Sequence, residues 1–270
     1  MFVDLTIAIP TLNCANTLRY TLESVRPLKE AGAKIVVIDS NSSDGTIEIA
    51  NEFTDLLLQV PKGNMYAAVN AGLEHAPAEW MTYLNGDDLL YADAVRHSLN
   101  EGESSADVIY GCIDYIDEMG RFLHGWTSPQ PRDYLALAAG CIMPIPQQGT
   151  VFRRSVFEGL KGFDIQYRFS GDFDFFLRAK LAGFRFLRQR TPRIGAFRLH
   201  PLQITQSRNA DMIEEAMASM RANRLSVGRW HRVVAFARFR GRNWDAYLLR
   251  LMRSRQLAGS SRLQRTMGVN

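Results

Sequence analysis

Lys34-Ile35-Val36-Val37-Ile38-Asp39 is the stretch from which the fold can be read. Its four consecutive β-branched residues are too apolar for a strand with one wet face, which places it inside a parallel sheet covered on both sides. Upstream, Leu5-Thr6-Ile7-Ala8-Ile9 reads as another strand, closed by Pro10-Thr11-Leu12-Asn13. Between the two, Leu18, Leu22, Val25 and Leu28 recur at helical spacing over 16–29. Downstream come a polar loop, a helix near 45–53, a strand at 56–60, a helix near 64–76 and an apolar strand at 80–84. This alternation predicts an α/β fold: a doubly wound, mostly parallel sheet with right-handed crossovers and helices on both faces.

The second half is less regular. A helix is expected near 91–101 and a strand at 107–117. Asp117-Glu118-Met119-Gly120 reads as a turn, with a returning strand at 121–126, a hairpin that would make the sheet mixed. Further strands are expected at 148–153, followed by a short helix, and at 184–187. Helices are expected at 172–183, with Phe173, Phe176 and Leu177 as the buried face, and at 209–228.

Composition excludes several classes. Hydrophobic residues at 46% and charged residues at 22% are ordinary globular values. No apolar run approaches the roughly 18 residues of a membrane span, and the start of the chain has no signal-peptide pattern. Cys14, Cys112 and Cys141 lie far apart, which argues against a disulfide framework or a zinc site and fits a reducing cytoplasm. The net charge of +4 conceals a division: residues 221–270 hold twelve Arg, no Lys and one acid, Asp245, while the rest of the chain is acidic. The Arg residues interleave with Trp230, Phe236, Phe239, Trp244, Tyr247, Leu248, Leu249 and Leu251. Such a tail suits a packed helical appendage with a solvated Arg face, or peripheral attachment to the anionic inner face of a cell membrane. Nucleic acid is disfavoured by the acidic body and the absence of a recognised binding module.

Three polar groups fall at strand ends: Thr11 and Asn13, then Asp39, then Asp87 and Asp88 in Tyr83-Leu84-Asn85-Gly86-Asp87-Asp88. In a doubly wound sheet these ends line one edge, where ligands bind. Adjacent carboxylates repel each other, which a bound cation relieves; the plainer reading is a pair of first-turn helix acids. The first loop matches neither G-x-G-x-x-G nor G-x-x-x-x-G-K-[ST], so a phosphate here would need another source of positive charge. A divalent cation held by Asp87 and Asp88 would supply it. Asp44, before Gly45-Thr46, reads as a helix cap.

Ala8-Ile9-Pro10-Thr11-Leu12-Asn13, Val37-Ile38-Asp39-Ser40-Asn41-Ser42-Ser43-Asp44-Gly45-Thr46 and Leu84-Asn85-Gly86-Asp87-Asp88, in this order and spacing, resemble family 2 glycosyltransferases of bacterial polysaccharide and lipopolysaccharide synthesis. The resemblance covers roughly residues 3–205. It implies a GT-A fold, a nucleotide-diphosphate sugar donor (a UDP-sugar is expected), a manganese or magnesium ion and inversion at the anomeric carbon. It implies a transferase domain at 1–205, with a nucleotide-sugar half to about 105 and an acceptor half beyond, and a helical Arg-rich extension at 206–270. The implied acceptor is a saccharide or a lipid-linked saccharide. Thr11 and Asp39 would sit beside the nucleoside, with Pro10 and Asn13 in the same loop and Asn70, Asn85, Asp87 and Arg198 as further donor contacts. Asp87 and Asp88 occupy the family's DXD region and, with His200, would hold the metal. In Phe169-Ser170-Gly171-Asp172-Phe173-Asp174, Asp172 matches the acid of the family's E-D motif and would be the catalytic base; the plainer reading is a helix cap.

The departures are specific. Asn85 replaces the first acid of DXD, Ser40 stands where many members have a second acid, Ala67 replaces an Asp, and Gly171 replaces the Glu before Asp172. Gln147 and Gln148 stand where relatives carry a polar pair facing the acceptor. Ser226-Val227-Gly228-Arg229-Trp230 lacks the Gln of the processive Q-x-x-R-W motif. The rivals are a sugar-phosphate nucleotidylyltransferase, disfavoured by the first loop, and a non-catalytic nucleotide-sugar or glycan-binding protein.

Overall fold

The structure, a computed structural model, describes residues 2–54, 56–102, 106–189, 192–200 and 208–249. The chain begins as expected with β1 (Leu5–Thr11), α1 (Ala15–Glu30), β2 (Lys34–Asp39), α2 (Thr46–Phe53), β3 (Leu56–Gln59), α3 (Met65–His75) and β4 (Trp80–Tyr83). It continues through β5 (Leu89–Leu90), α4 (Ala92–Gly102), β6 (Val108–Tyr110), β7 (Ile113–Ile116), β8 (Phe122–Trp126), α5 (Tyr134–Ala138), β9 (Thr150–Arg153) and α6 (Arg154–Leu160). α7 (Gly171–Leu181), β10 (Phe186–Arg188), β11 (Gly195–Arg198), α8 (Asn209–Ala222) and α9 (Arg229–Arg242) complete it.

Seven strands form one sheet in the order β10-β6-β9-β4-β1-β2-β3, parallel except for β9, which runs antiparallel to β4 and β6. The apolar run of β2 is central and buried on both sides, because successive side chains alternate between faces. Ile35 and Val37, with Ile7 and Ile9, meet Leu18, Leu22 and Val25 of α1. Val36 and Ile38, with Ala8, meet Val69 and Leu73 of α3. β1 has β2 on one side and β4 on the other, so the direction of winding reverses between β1 and β4. The crevice outside their carboxyl ends is where such a sheet binds ligands.

Several expectations are corrected. The strand expected at 107–117 is two strands in different sheets: the chain leaves the large sheet after Tyr110, and β7 enters a small sheet ordered β5-β11-β7-β8. The expected hairpin, β7–β8, lies in that small sheet, and β9 makes the large sheet mixed. The helix expected over 209–228 stops at Ala222, where Arg224 takes a left-handed φ of 52°, and resumes as α9. The expected boundary at 205/206 falls outside the described residues. Beyond it, Ala216 and Met220 of α8 share a core cluster with Phe173 and Phe176 of α7. Among the described residues no helix is long and apolar enough to cross a membrane.

Candidate active site

A cavity of about 1860 Å³ opens over the carboxyl ends of β1, β2 and β4 and extends to the small sheet. Single small-molecule sites hold about 300–1,000 Å³, so this one has room for two substrates. Pro10, Asn13, Ser40, Asn85, Asp87, Gln147, Gln148, Asp172 and His200 are among the residues that line it.

At the carboxyl ends of β1 and β2, two loops are stitched together. Thr11 and Asp39 are direct partners in the β1–β2 register, and Thr11 Oγ1 donates to Asp39 Oδ1 at 3.1 Å. Ser42 N donates to Asp39 Oδ2 at 2.8 Å, and Ser42 Oγ also donates to this carboxylate. Asn13, at φ 51°, accepts from Ser43 N at 2.8 Å and donates its own N–H to Ser42 Oγ at 2.9 Å. Asp39 is wholly buried beneath the cavity wall, and Ser40 lies on the wall itself. Asp44 accepts from Thr46 N at 3.2 Å and from Ala15 N, at the start of α1, at 3.0 Å, so its carboxylate serves two helix starts.

The acidic neighbours have different environments. Gly86 lets the β4 loop press onto the β1 loop, since a Cβ there would lie 2.7 Å from Cys14 Sγ. That thiol is pushed up to about 12 by burial, so it is no nucleophile. Beyond Gly86, Asp87 faces the cavity and its Oδ2 lies 2.8 Å from His200 Nε2. Asp88 turns away and is completely buried. It accepts from Arg198 N at 3.0 Å, from Gln148 Nε2 at 2.9 Å and from Asn85 Nδ2 at 3.3 Å. Burial, then the Asp87 charge, pushes its carboxyl well above the usual range. The expectation that Asp88 meets a metal is therefore corrected: both oxygens are engaged by protein donors behind the cavity wall.

Asn70 is corrected on similar grounds, whereas Arg198 both braces the fold and borders the cavity. The buried Arg198 guanidinium donates through Nε to Asp87 O at 2.8 Å and through Nη1 to Glu118 O at 3.0 Å. These bonds brace the carboxyl end of β4, and the same side chain also borders the cavity. Asn70 bridges to the backbone of Phe163, donating to its O at 2.8 Å and accepting from its N at 2.9 Å, away from the cavity.

Asp172, in the first turn of α7, lines the cavity. Its Oδ1 accepts from Phe173 N at 2.8 Å and from Tyr66 Oη at 3.2 Å, while no protein donor reaches Oδ2 among the described residues. Burial holds the Tyr66 phenol protonated, so it donates, and burial also raises the Asp172 carboxyl above the ordinary range. The Gly171 departure has a steric cause: a Cβ there would lie 2.6 Å from the Tyr66 ring, which fills the space a Glu would need. Glu215 of α8 accepts from three successive amides just before α7: Arg168 N at 2.9 Å, and Phe169 N and Ser170 N at 2.8 Å each. Sequence reasoning missed Tyr66 and Glu215, because each acts on Asp172 or its loop from a distant part of the chain.

The glycosyl transferase family 2 model matches residues 6–160, which include both strand-end loops and the acidic pair. The chain is a family 2 glycosyltransferase. A PGL/p-HBAD biosynthesis glycosyltransferase of Mycobacterium bovis is 31% identical over 182 residues, 64% of this chain and 68% of the relative. An uncharacterized glycosyltransferase of Rickettsia typhi is 25% identical over 189 residues, 64% of this chain and 57% of the relative. The fold of this glycosyltransferase is GT-A. S. aureus TarS 1–349, solved with UDP-GlcNAc, superposes with a TM-score of 0.63 at 14% identity, covering 90% of this chain and 73% of that one. The mannosyltransferase PcManGT of Pyrobaculum calidifontis, solved with GDP-Man and Mn2+, gives 0.60 at 17% identity, covering 97% and 77%.

The two acids of this glycosyltransferase should separate in an unfolding experiment. Asp88→Ala strands buried donors from three segments and is expected to cost at least about 2 kcal/mol in urea unfolding. Asp87→Asn, at a half-exposed position, should stay within about 0.5 kcal/mol of wild type. Equal losses would show that the two carboxylates share one structural role.

Proposed function

We propose that this glycosyltransferase moves one sugar from a nucleotide-diphosphate sugar, a UDP-sugar, to a saccharide or lipid-linked saccharide, with inversion and with a manganese or magnesium ion. The observation that carries the reading is that the Asp87–His200 pair and the Asp172 carboxylate, from different loops, line one cavity at the sheet's switch point. Thr11, Asn13 and the Ser40–Ser43 loop form the nucleoside end.

The residues present fit a divalent ion. Asp87 offers a carboxylate and His200 an imidazole, while Asn85 Oδ1, in the same loop as Asp87, is buried without a donor among the described residues. Among the described residues no group of three His, Cys, Asp or Glu forms a complete ligand set, so diphosphate oxygens and water would supply the rest. A bound ion would neutralise charge on the departing diphosphate.

The protein's own chemistry centres on Asp172. Tyr66 and Phe173 N hold Oδ1, which leaves Oδ2 to take the acceptor hydroxyl's proton. As that proton leaves, the acceptor oxygen bonds to the anomeric carbon, and the bond from that carbon to the diphosphate breaks with its electron pair leaving on the diphosphate. Burial makes the carboxylate a stronger base than an exposed one, and so brings it closer to the working pH.

Asp172→Asn retains an acceptor for Tyr66 and Phe173 N but cannot take a proton. Its kcat should fall about 10²–10⁴-fold with an unchanged melting temperature. Full turnover by that variant would remove Asp172 from the chemistry and return it to a helix-start role. The pH profile offers a second check. Tyr66 donates to the charged carboxylate and so lowers its pKa; Tyr66→Phe removes that support and raises it. The base works only when ionised, so the acid limb of kcat should move to higher pH, with the rate regained above it. An unmoved acid limb would show that Tyr66 does not tune the base.

A further inference from the structure

We propose that the outward face of α9 docks on an anionic bilayer and thereby holds the acceptor end of the cavity at the membrane, making the acceptor a lipid-borne one. The assignment of an acceptor rests on the transferase reading; the docking surface does not.

α9 is fastened to the body. Asp133, almost wholly buried, pairs with Arg238 at 3.0 Å and lies 3.8 Å from Arg242. Just past the helix, the Asn243 side chain accepts from Thr127 N at 2.7 Å and donates to Thr127 O at 2.9 Å, as a strand partner would. Ala235 and Phe239 are buried against Ala136 and Leu137 of α5. The Trp126 ring meets the Phe239 ring edge-on at 5.2 Å, and Trp126 lines the cavity.

The other side of the same helix is also apolar. At 3.6 residues per turn, Trp230, Val233, Val234 and Ala237 project opposite Ala235 and Phe239. Trp230 is 78% exposed, Val233 49% and Val234 42%; Phe236 and, past the helix, Trp244 are exposed as well. Exposed Arg229 and Arg240 border this face, exposed Arg232 lies on the flank of the helix, and α9 contains no acid. A solvated helix places polar residues outward. A contiguous apolar strip rimmed by cations, with Trp at its edge, is the pattern of a helix lying in a bilayer interface. Charge selects the partner: an Arg beside a negative lipid surface contributes on the order of 1 kcal/mol, and Arg240 also stacks on the Phe236 and Tyr247 rings, 5.5 and 4.3 Å from their centres. The aromatic residues of the tail therefore divide by role, Phe239 packing inward and Trp230, Phe236 and Trp244 facing out; Leu251 lies outside the described residues.

A helix is about 10–12 Å across. Because Trp126 touches the inner face of α9, a bilayer on the outer face lies about one helix diameter from the cavity wall. A lipid-linked acceptor could then enter while its lipid stays in the membrane.

The test uses the full chain in flotation with vesicles of phosphatidylcholine alone and of phosphatidylcholine mixed with phosphatidylglycerol. Wild type should float with the anionic vesicles and not with the neutral ones. Trp230→Ser/Val233→Ser and, separately, Arg229→Gln/Arg232→Gln should each lower partitioning at least tenfold, with donor hydrolysis and melting unchanged. With a lipid-linked acceptor in those vesicles, both variants should lose transfer, while transfer to a water-soluble acceptor stays at the wild-type rate. Wild type that does not float, or variants that float equally, overturn the proposal. A fall in melting temperature in the Trp230→Ser/Val233→Ser variant also overturns it, since the face would then be covered by residues 250–270 or another protein surface. Flotation is independent of turnover, so loss of binding and loss of the transferase reading are separately visible.

Discussion

Asp88 is an acid buried where three segments meet, and the geometry around the acidic pair depends on its being satisfied there. It takes hydrogen bonds from the backbone of β11, from Gln148 in the turn before β9, and from Asn85 in its own loop. A buried polar group is costly alone and tolerable when hydrogen bonds satisfy it, and burial, then the Asp87 charge, pushes this carboxyl well above the usual range. Once those donors are committed, Asp88 fixes the spacing between the end of β4 and the end of β11. Arg198 adds a second tie between the same two segments through Asp87 O. Asp87 and His200 then follow at adjacent positions on the two braced segments, within 2.8 Å of each other. A metal-binding pair is stronger when it is built before the ion arrives, because less side-chain entropy is lost on binding.

The same division recurs at the other carboxylates. Asp39 is enclosed by Thr11 and Ser42 and shapes the loop after β2, while Ser40 beside it faces the cavity. Asp174 is buried, bonded to Arg178 and Ser219, while Asp172 two residues earlier faces the cavity. In each loop a buried group sets the backbone and a neighbour reaches the ligand space. Glu215 extends this arrangement to α8: its carboxylate gathers three amides and holds the turn from which Asp172 projects.

The parallel half of the fold was legible because its signal is local. The β-branched run at 35–38 and the regular strand–helix alternation through Tyr83 both reflect burial on two faces of one sheet. β7, β8 and β11 were harder, because short strands of four or five residues carry little periodicity and are defined by the partners they find. The positions of the site's carboxylates were legible from strand ends and motif order, but their roles were not. Nothing in Asp87-Asp88 tells which one is buried; that follows from Gln148 and Arg198, sixty and more residues away. In the sequence Gly171 is only a departure from the E-D motif, whereas in the structure the Tyr66 ring occupies that volume and its hydroxyl reaches the Asp172 carboxylate.

A donor site completed by the diphosphate is the centre of this account, and manganese binding followed by electron paramagnetic resonance tests it directly. Asp87 and His200 alone offer too few ligands for tight binding, so the protein should bind manganese weakly by itself and at least tenfold more tightly with UDP present. Asp87→Ala should abolish that UDP-dependent gain, with the fold retained. Tight manganese binding without nucleotide, or a gain that survives Asp87→Ala, would contradict it.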